Sequence, residues 1–387
     1  MRKSALFLFG LVVAALVALG LVVLSSASEA NSMKYHGGDP LFFLKRQFIY
    51  LAAGLVVAVC TSLFDYRRWR DAWGLAAAFY AVVLVLLLVV FMYPPINGSQ
   101  RWINLGIIRL QPSELAKLVI VIATAVWIDR LGWRVELFRQ GALWSALIVA
   151  ALVLPVAIEP DYGSVVVMSS SAALVMFVAG VRFMHMLPFG VLGMAGFAFR
   201  VLTNANRRAR LVAFFFGGEG SGGAEALDAA AKRANYQVEQ AIVAIQNGGV
   251  EGVGLGESMQ KHLYLPEAHT DFIFAVGAEE LGLVFTIVVV LLFAAFFALS
   301  VYIARKSSDR LGRFLALGMG SLVFFQAMFN LGVVCRALPT KGIALPFFSY
   351  GGTNMLATFF AVGTILSVGI HSFRSRRARL ANKVLIR

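Results

Sequence analysis

Apolar residues run almost unbroken for about 20 positions at a time, with polar breaks between the runs. Ten runs are predicted to be membrane-spanning helices, at about 5–25, 47–64, 73–93, 112–128, 141–158, 163–181, 184–202, 272–303, 314–334 and 352–370. A bilayer core about 30 Å thick takes about 20 residues rising roughly 1.5 Å each, so these runs suit single crossings. Trp73 to Tyr93 is continuously apolar, unlike the alternating strands of an outer-membrane barrel. The fold class expected is an all-α polytopic membrane protein of about ten transmembrane helices, with 1–387 as one integral membrane domain.

Composition agrees with this pattern. With 60% hydrophobic residues, 14% charged and a mean hydropathy of +0.80, the chain is excluded from the soluble enzymes, secreted disulfide scaffolds and disordered proteins. Its net charge of +14 invites a nucleic-acid reading, which the placement of the basic residues answers. With the N-terminus inside, 19 of the 34 Lys and Arg fall in cytoplasmic segments. Of the other 15, seven lie in or beside the long segment between spans seven and eight, which the positive-inside rule discounts, leaving 8 outside. Both termini are therefore expected in the cytoplasm, with 203–271 a large extracytoplasmic loop and 371–387 a basic cytoplasmic tail apposed to the membrane. No nucleic-acid partner is expected. The first run carries no convincing signal-peptidase site and is taken as a retained helix. Cys60 and Cys335 lie in different runs near opposite membrane faces, and no metal-ligand spacing occurs.

This orientation puts the unusual polar sequences outside. Arg101 and Trp102 precede Gln111-Pro112-Ser113-Glu114, a helix start, and Lys117 lies one turn after Glu114 on the same face. An intramembrane lysine usually faces a partner or a cavity. Glu159-Pro160-Asp161-Tyr162-Gly163 is a polar turn whose two carboxylates are candidate cation ligands. Arg207, Arg208 and Arg210 form an external cationic cluster suited to phosphate oxygens. Ala224 to Gln246 has the periodicity of a helix on the membrane, and Gly248 to Gly256 is expected to be flexible. In Pro266-Glu267-Ala268-His269-Thr270-Asp271, either Thr270 or Asp271 suits a helix N-cap, and Asp271 alternatively suits a base accepting a proton from a hydroxyl. Glu279 and Glu280 need buried partners, for which Lys117 and Arg336 are candidates. Lys341 and Ser349 stand in a Pro/Gly-broken stretch, Cys335 to Gly352, expected to re-enter the membrane.

Taken in order, these motifs resemble the SEDS family of bacterial cell-wall proteins (shape, elongation, division and sporulation), over almost the whole chain. The resemblance rests on G-S-x-R-W-I with Q-P-S-E-x-x-K at 98–117, E-P-D-x-G at 159–163, Y-Q with A-I-x-x-G-G and G-x-G at 236–256, P-E-A-H-T-D-F-I-F-A at 266–275, and P-T-K-G with S-Y-G-G at 339–352. Pro339-Thr340-Lys341-Gly342 is similar to the cell-division branch; the elongation branch usually reads P-V-T-G there. The insertion around Gly217 to Ala230 and the Thr353-Asn354 pair depart from the family pattern. The resemblance implies an inverting peptidoglycan glycosyltransferase of the cytoplasmic (inner) membrane that polymerises lipid II at its outer face. Asp271 matches the family's essential aspartate. The implied substrate contacts are Arg101, Trp102, Glu114, Lys117, Arg208, Arg210, His269, Thr270, Lys341 and Ser349, with Glu114 orienting Lys117. No cofactor is required, although a divalent cation such as Mg2+ or Mn2+ at Glu159 and Asp161 is allowed. The implied partners are lipid II, a class B penicillin-binding protein, other divisome proteins and the membrane. The role implied is septal wall synthesis in cell division, with an elongation-type polymerase and a lipid II flippase as the rival readings; unusual polar clusters on one side only count against the flippase.

Overall fold

The computed structural model describes residues 2–35, 38–94, 100–104, 109–203, 229–261, 265–339 and 342–385. The described helices are α1 (Arg2–Tyr35), α2 (Phe42–Leu63), the short α3 (Arg68–Asp71), α4 (Trp73–Val89), α5 (Pro112–Leu131), α6 (Trp144–Ile158), α7 (Tyr162–Ala179), α8 (Phe183–Leu202), α9 (Ala229–Gly248), α10 (Ile273–Arg305), α11 (Arg310–Val334) and α12 (Gly352–Leu385). Strands β1 (Ile103–Asn104) and β2 (Arg109–Leu110) form an antiparallel pair.

Nine of these helices, counting α6 with the π-helical turn Phe138–Leu143, are long and apolar enough to cross a membrane. The tenth expected span, α5, carries Glu114, Lys117, Asp129 and Arg130, and any stretch of 18 residues within it holds at least three of them. It tolerates these charges because it is the inner helix: fourteen of its 20 residues are buried, against α4, α6, α7, α11 and α12. Helix α8 is the opposite case, with Val201 its one buried residue, so its apolar surface faces outward, as lipid contact requires.

Three elements differ from the pattern-based expectation. Helix α1 runs past the apolar stretch to Tyr35, because Ser26, Ser28 and Ser32 turn inward and are buried by protein. Helix α12 continues into the basic tail as far as Leu385. Helix α10 is interrupted at Gly282, whose φ of 68° and ψ of −162° belong to neither helix nor any region L-residues favour. The glycines after α9 are the cause. Leu283 N–H donates to Gly249 O (3.0 Å), while Val253 N–H and Gly254 N–H donate to Glu279 O and Glu280 O (3.0 Å each). The segment expected to be flexible is thus hydrogen-bonded into the break, replacing the bonds that the helix gives up there.

Candidate active site

One end of the bundle gathers the first turns of α5, α7, α10 and α12 with the segment that precedes α12. That segment is irregular and enters the bundle: Phe347 and Phe348 are buried, their rings close to those of Phe293, Phe296 and Phe359. Its backbone is supported from every side. Gln326 donates to Ala344 O (2.9 Å) and Asn354 Oδ1 (3.0 Å), Asn330 donates to Ile343 O (2.7 Å), and Ser349 Oγ accepts from Leu345 N–H (2.7 Å).

The same groups fix the turn that carries Asp271. Asn330 Nδ2 also donates to Asp271 O (2.7 Å), Ser349 Oγ to Thr270 O (2.6 Å), and Tyr350 N–H to His269 O (3.0 Å). His269 Nδ1 meets Asn31 Nδ2 of α1 (3.1 Å), and its ring packs on Phe43 at 4.6 Å. Thr270 Oγ donates to Glu267 Oε2 (2.9 Å). The capping alternative is settled here: Phe272 occupies the N-cap position and no side chain caps α10. Asp271 therefore has a pinned backbone, is half-buried as a residue, and its carboxylate lies against Gly342, where a Cβ would collide with its Oδ2. Burial pushes that carboxyl up to about 7; Glu267 and Asp161 add to the rise and Arg101 opposes it. A carboxylate with that value is a competent base near neutrality.

Arg101 sits beside the hairpin β1–β2, which is tied to α12 through Thr353 Oγ donating to Arg109 O (3.0 Å). Its guanidinium donates to Glu159 O (3.1 Å) and Pro160 O (2.6 Å), which brings it to the acidic turn. Trp102, next to it, is partly exposed. Glu159 is buried and raised to about 8, by desolvation first and then by Asp161, against Arg101. Asp161 is the N-cap of α7 and accepts from Ser164 N–H (3.3 Å), Ser164 Oγ (2.8 Å), Ser113 Oγ (3.3 Å) and Gln111 Nε2 (3.5 Å). Among the described residues no three His, Cys, Asp or Glu gather as metal ligands.

Lys117 and Glu114 meet as the spacing predicted, at 2.7 Å, and Lys117 also donates to Gln326 Oε1 (2.7 Å). At 2% and 5% exposure, this pair braces α5 against α11 and is closed to a ligand in this conformation. Glu279 and Glu280 are served by neither Lys117 nor Arg336. Glu279 accepts from Ser258 Oγ, Gln260 N–H and Asn247 Nδ2, while Glu280 accepts from Ser26 Oγ and lies 3.8 Å from Lys261. Arg208, Arg210 and Lys341 lie outside the described residues. Gln326 and Asn330 were missed in the sequence; two amides four residues apart within an apolar span share one helix face, and that was the available signal.

Nine apolar helices of membrane length among the described residues, the inner helix α5 and a segment entering the bundle beside a carboxylate define a polytopic membrane protein. The chain belongs to the FtsW/RodA/SpoVE family of cell cycle proteins, whose pattern it matches over residues 6–374. It is 38% identical to the probable peptidoglycan glycosyltransferase FtsW of Geobacter metallireducens, over 92% of each chain. It is 35% identical to stage V sporulation protein E of Bacillus subtilis, over 92% of this chain and 94% of that one. Among solved structures it resembles a chain of a peptidoglycan synthase complex that coordinates polymerization and crosslinking, with a TM-score of 0.73, 27% identity and coverage of 95% and 98%. The rod shape determining protein RodA of Thermus thermophilus superposes at 0.65, with 28% identity over 94% and 95%.

Proposed function

We propose that this protein is a peptidoglycan glycosyltransferase that polymerises lipid II at the outer face of the cytoplasmic membrane, in septal wall synthesis. The family and the FtsW-named relatives support that activity and role. The observation carrying the mechanism is Asp271, with its backbone held at three successive residues and its carboxyl raised to about 7. Its carboxylate takes the proton of the acceptor sugar's 4-hydroxyl as that oxygen bonds to C1 of the donor's MurNAc. The C1–O bond to the lipid diphosphate breaks, the electron pair leaves with the diphosphate, and the anomeric centre inverts. Developing charge on the leaving group calls for cations; Arg101 is the described candidate, with Arg208, Arg210 and Lys341 completing the set in this reading. Trp102 offers a flat apolar surface for a sugar. In the cell the enzyme is partnered by a class B penicillin-binding protein and other divisome proteins, with both of its own termini in the cytoplasm.

Purified protein with lipid II in liposomes, alone and with its transpeptidase, is the test. Wild type is expected to form glycan chains and folded Asp271→Asn none. Equal polymer from both removes Asp271 as the base, and lipid II translocation without polymer in any combination moves the flippase reading ahead.

A further inference from the structure

A second ionic cluster lies away from the acidic turn and takes no part in the chemistry above. Lys261 is 3% exposed and Glu280 1%, and burying two charges is costly unless their surroundings are fixed. Here they are. Lys261 Nζ donates to Gly256 O (2.5 Å), Ser26 Oγ (3.1 Å) and Glu29 Oε2 (3.3 Å), and Ser26 Oγ passes a hydrogen bond on to Glu280 Oε1. The adjacent Glu279 holds the same stretch through Ser258 and Gln260, and α9 through Asn247.

These contacts fall at both ends of the segment bearing Asp271. Upstream, Gly256 to Lys261 is fastened; downstream, Ile273 to Leu281 ends at the Gly282 break, where the 249–254 backbone is docked. Gly252 is pressed so closely on Glu280 O and Gly282 N that no Cβ fits. Helix α1 closes the arrangement, its outer end touching Lys261 and Glu280 through Ser26, Lys261 again through Glu29, and His269 through Asn31.

We propose that Lys261 and Glu280, bridged by Ser26, are positioning residues that tie the chain to α1 on both sides of Asp271 and thereby hold Asp271 at the reacting hydroxyl. This rests on the reading of Asp271 as the base. From Asp271 to Glu280 is about 13 Å at roughly 1.5 Å per residue, which sets Glu280 well away from the proposed base. The pair acts through the rigidity of the intervening turns.

Removing Lys261 alone strands a buried carboxylate and endangers folding, so the decisive variant neutralises both groups: Lys261→Met with Glu280→Gln, in the full-length protein with its transpeptidase. The expected result is a folded protein whose kcat for lipid II polymerisation drops by about tenfold or more with KM within about twofold. Misplacement of a catalytic group by about 1 Å costs on this scale. Hydrogen–deuterium exchange over 265–272 is expected to rise, and Lys261→Arg to retain most of the wild-type kcat. Wild-type kcat and exchange in the folded double variant overturn the proposal, as does a rise in KM alone. If the double variant does not fold, Ser26→Ala, which breaks the bridge without stranding a charge, is judged by the same two readouts. Asp271→Asn runs alongside: full activity there removes the base reading, and the exchange measurement then decides on the clamp by itself.

Discussion

At the scale of single residues, the raised value of Asp271 makes opposite demands on rate and stability. A base must be deprotonated, so with a value of about 7 kcat/KM is predicted to fall about tenfold per pH unit below neutrality and to level off above it. A rate profile flat from pH 5.5 to 8 contradicts this. Arg101 opposes the rise, so Arg101→Gln is predicted to move the acid limb to higher pH, read from the same profile. Stability has the other sign. A carboxyl raised above its unfolded value, near 3.8, holds its proton more tightly when folded, and that advantage disappears as pH rises through about 7. Asp271→Asn, neutral throughout, is therefore predicted to melt later than wild type at pH 8. The difference is at most about 4 kcal/mol, reduced by the solvent reaching the half-buried residue, and fades toward pH 4. Gly342→Ala tests placement in place of charge. Its Cβ strikes the Asp271 carboxylate, so polymerisation is predicted to fall by about tenfold or more while the melting midpoint moves little.

At the scale of elements, span positions were legible because continuous apolar runs have few alternative folds in a bilayer. The start of α5 at Pro112 and the Glu114–Lys117 pair followed from proline's place in a first helical turn and from i, i+3 geometry. The glycine-rich stretch after α9 was not legible. Gly248 to Gly256 has the composition of a loose linker, and only the positive φ of Gly282, thirty positions beyond the middle of that stretch, explains why small residues are needed on both sides of the contact. For the same reason Lys261 counted as one more loop cation, when its partners are on α1 and α10. Gly282→Ala is predicted to destabilise by about 1–3 kcal/mol from backbone conformation alone, and more from the clash with Val250 O and Gly252 N. Gly10→Ala, where nothing lies within 4 Å of the added Cβ, is predicted to be near neutral. Thermal melts of the two variants in one detergent make the comparison, and equal midpoints would remove the strain argument.

At the scale of the whole molecule, the charge asymmetry supports the orientation that the proposed outer-face chemistry requires. Basic residues in short loops favour a cytoplasmic N-terminus, and ten crossings, with α5 added to the nine apolar spans, bring the C-terminus back to the side on which the chain starts. In the proposed orientation the cluster of Arg101, Glu159, Asp161 and Asp271 faces outward, where the proposed substrate presents its headgroup. Charged groups at the other end form contacts of another kind: Arg67 pairs with Asp309 at 3.2 Å, and Arg70 of α3 with Asp129 of α5 at 3.6 Å. An alkaline phosphatase reporter after Arg387 is predicted to be inactive and a fluorescent protein there bright. Phosphatase inserted between Gly217 and Gly223 is predicted to be active, while the same insertion after Ser308 is not. Activity at Arg387 with none in the 217–223 insertion would invert the chain, direct Asp271 to the cytoplasm and leave an outer-face polymerase without its base.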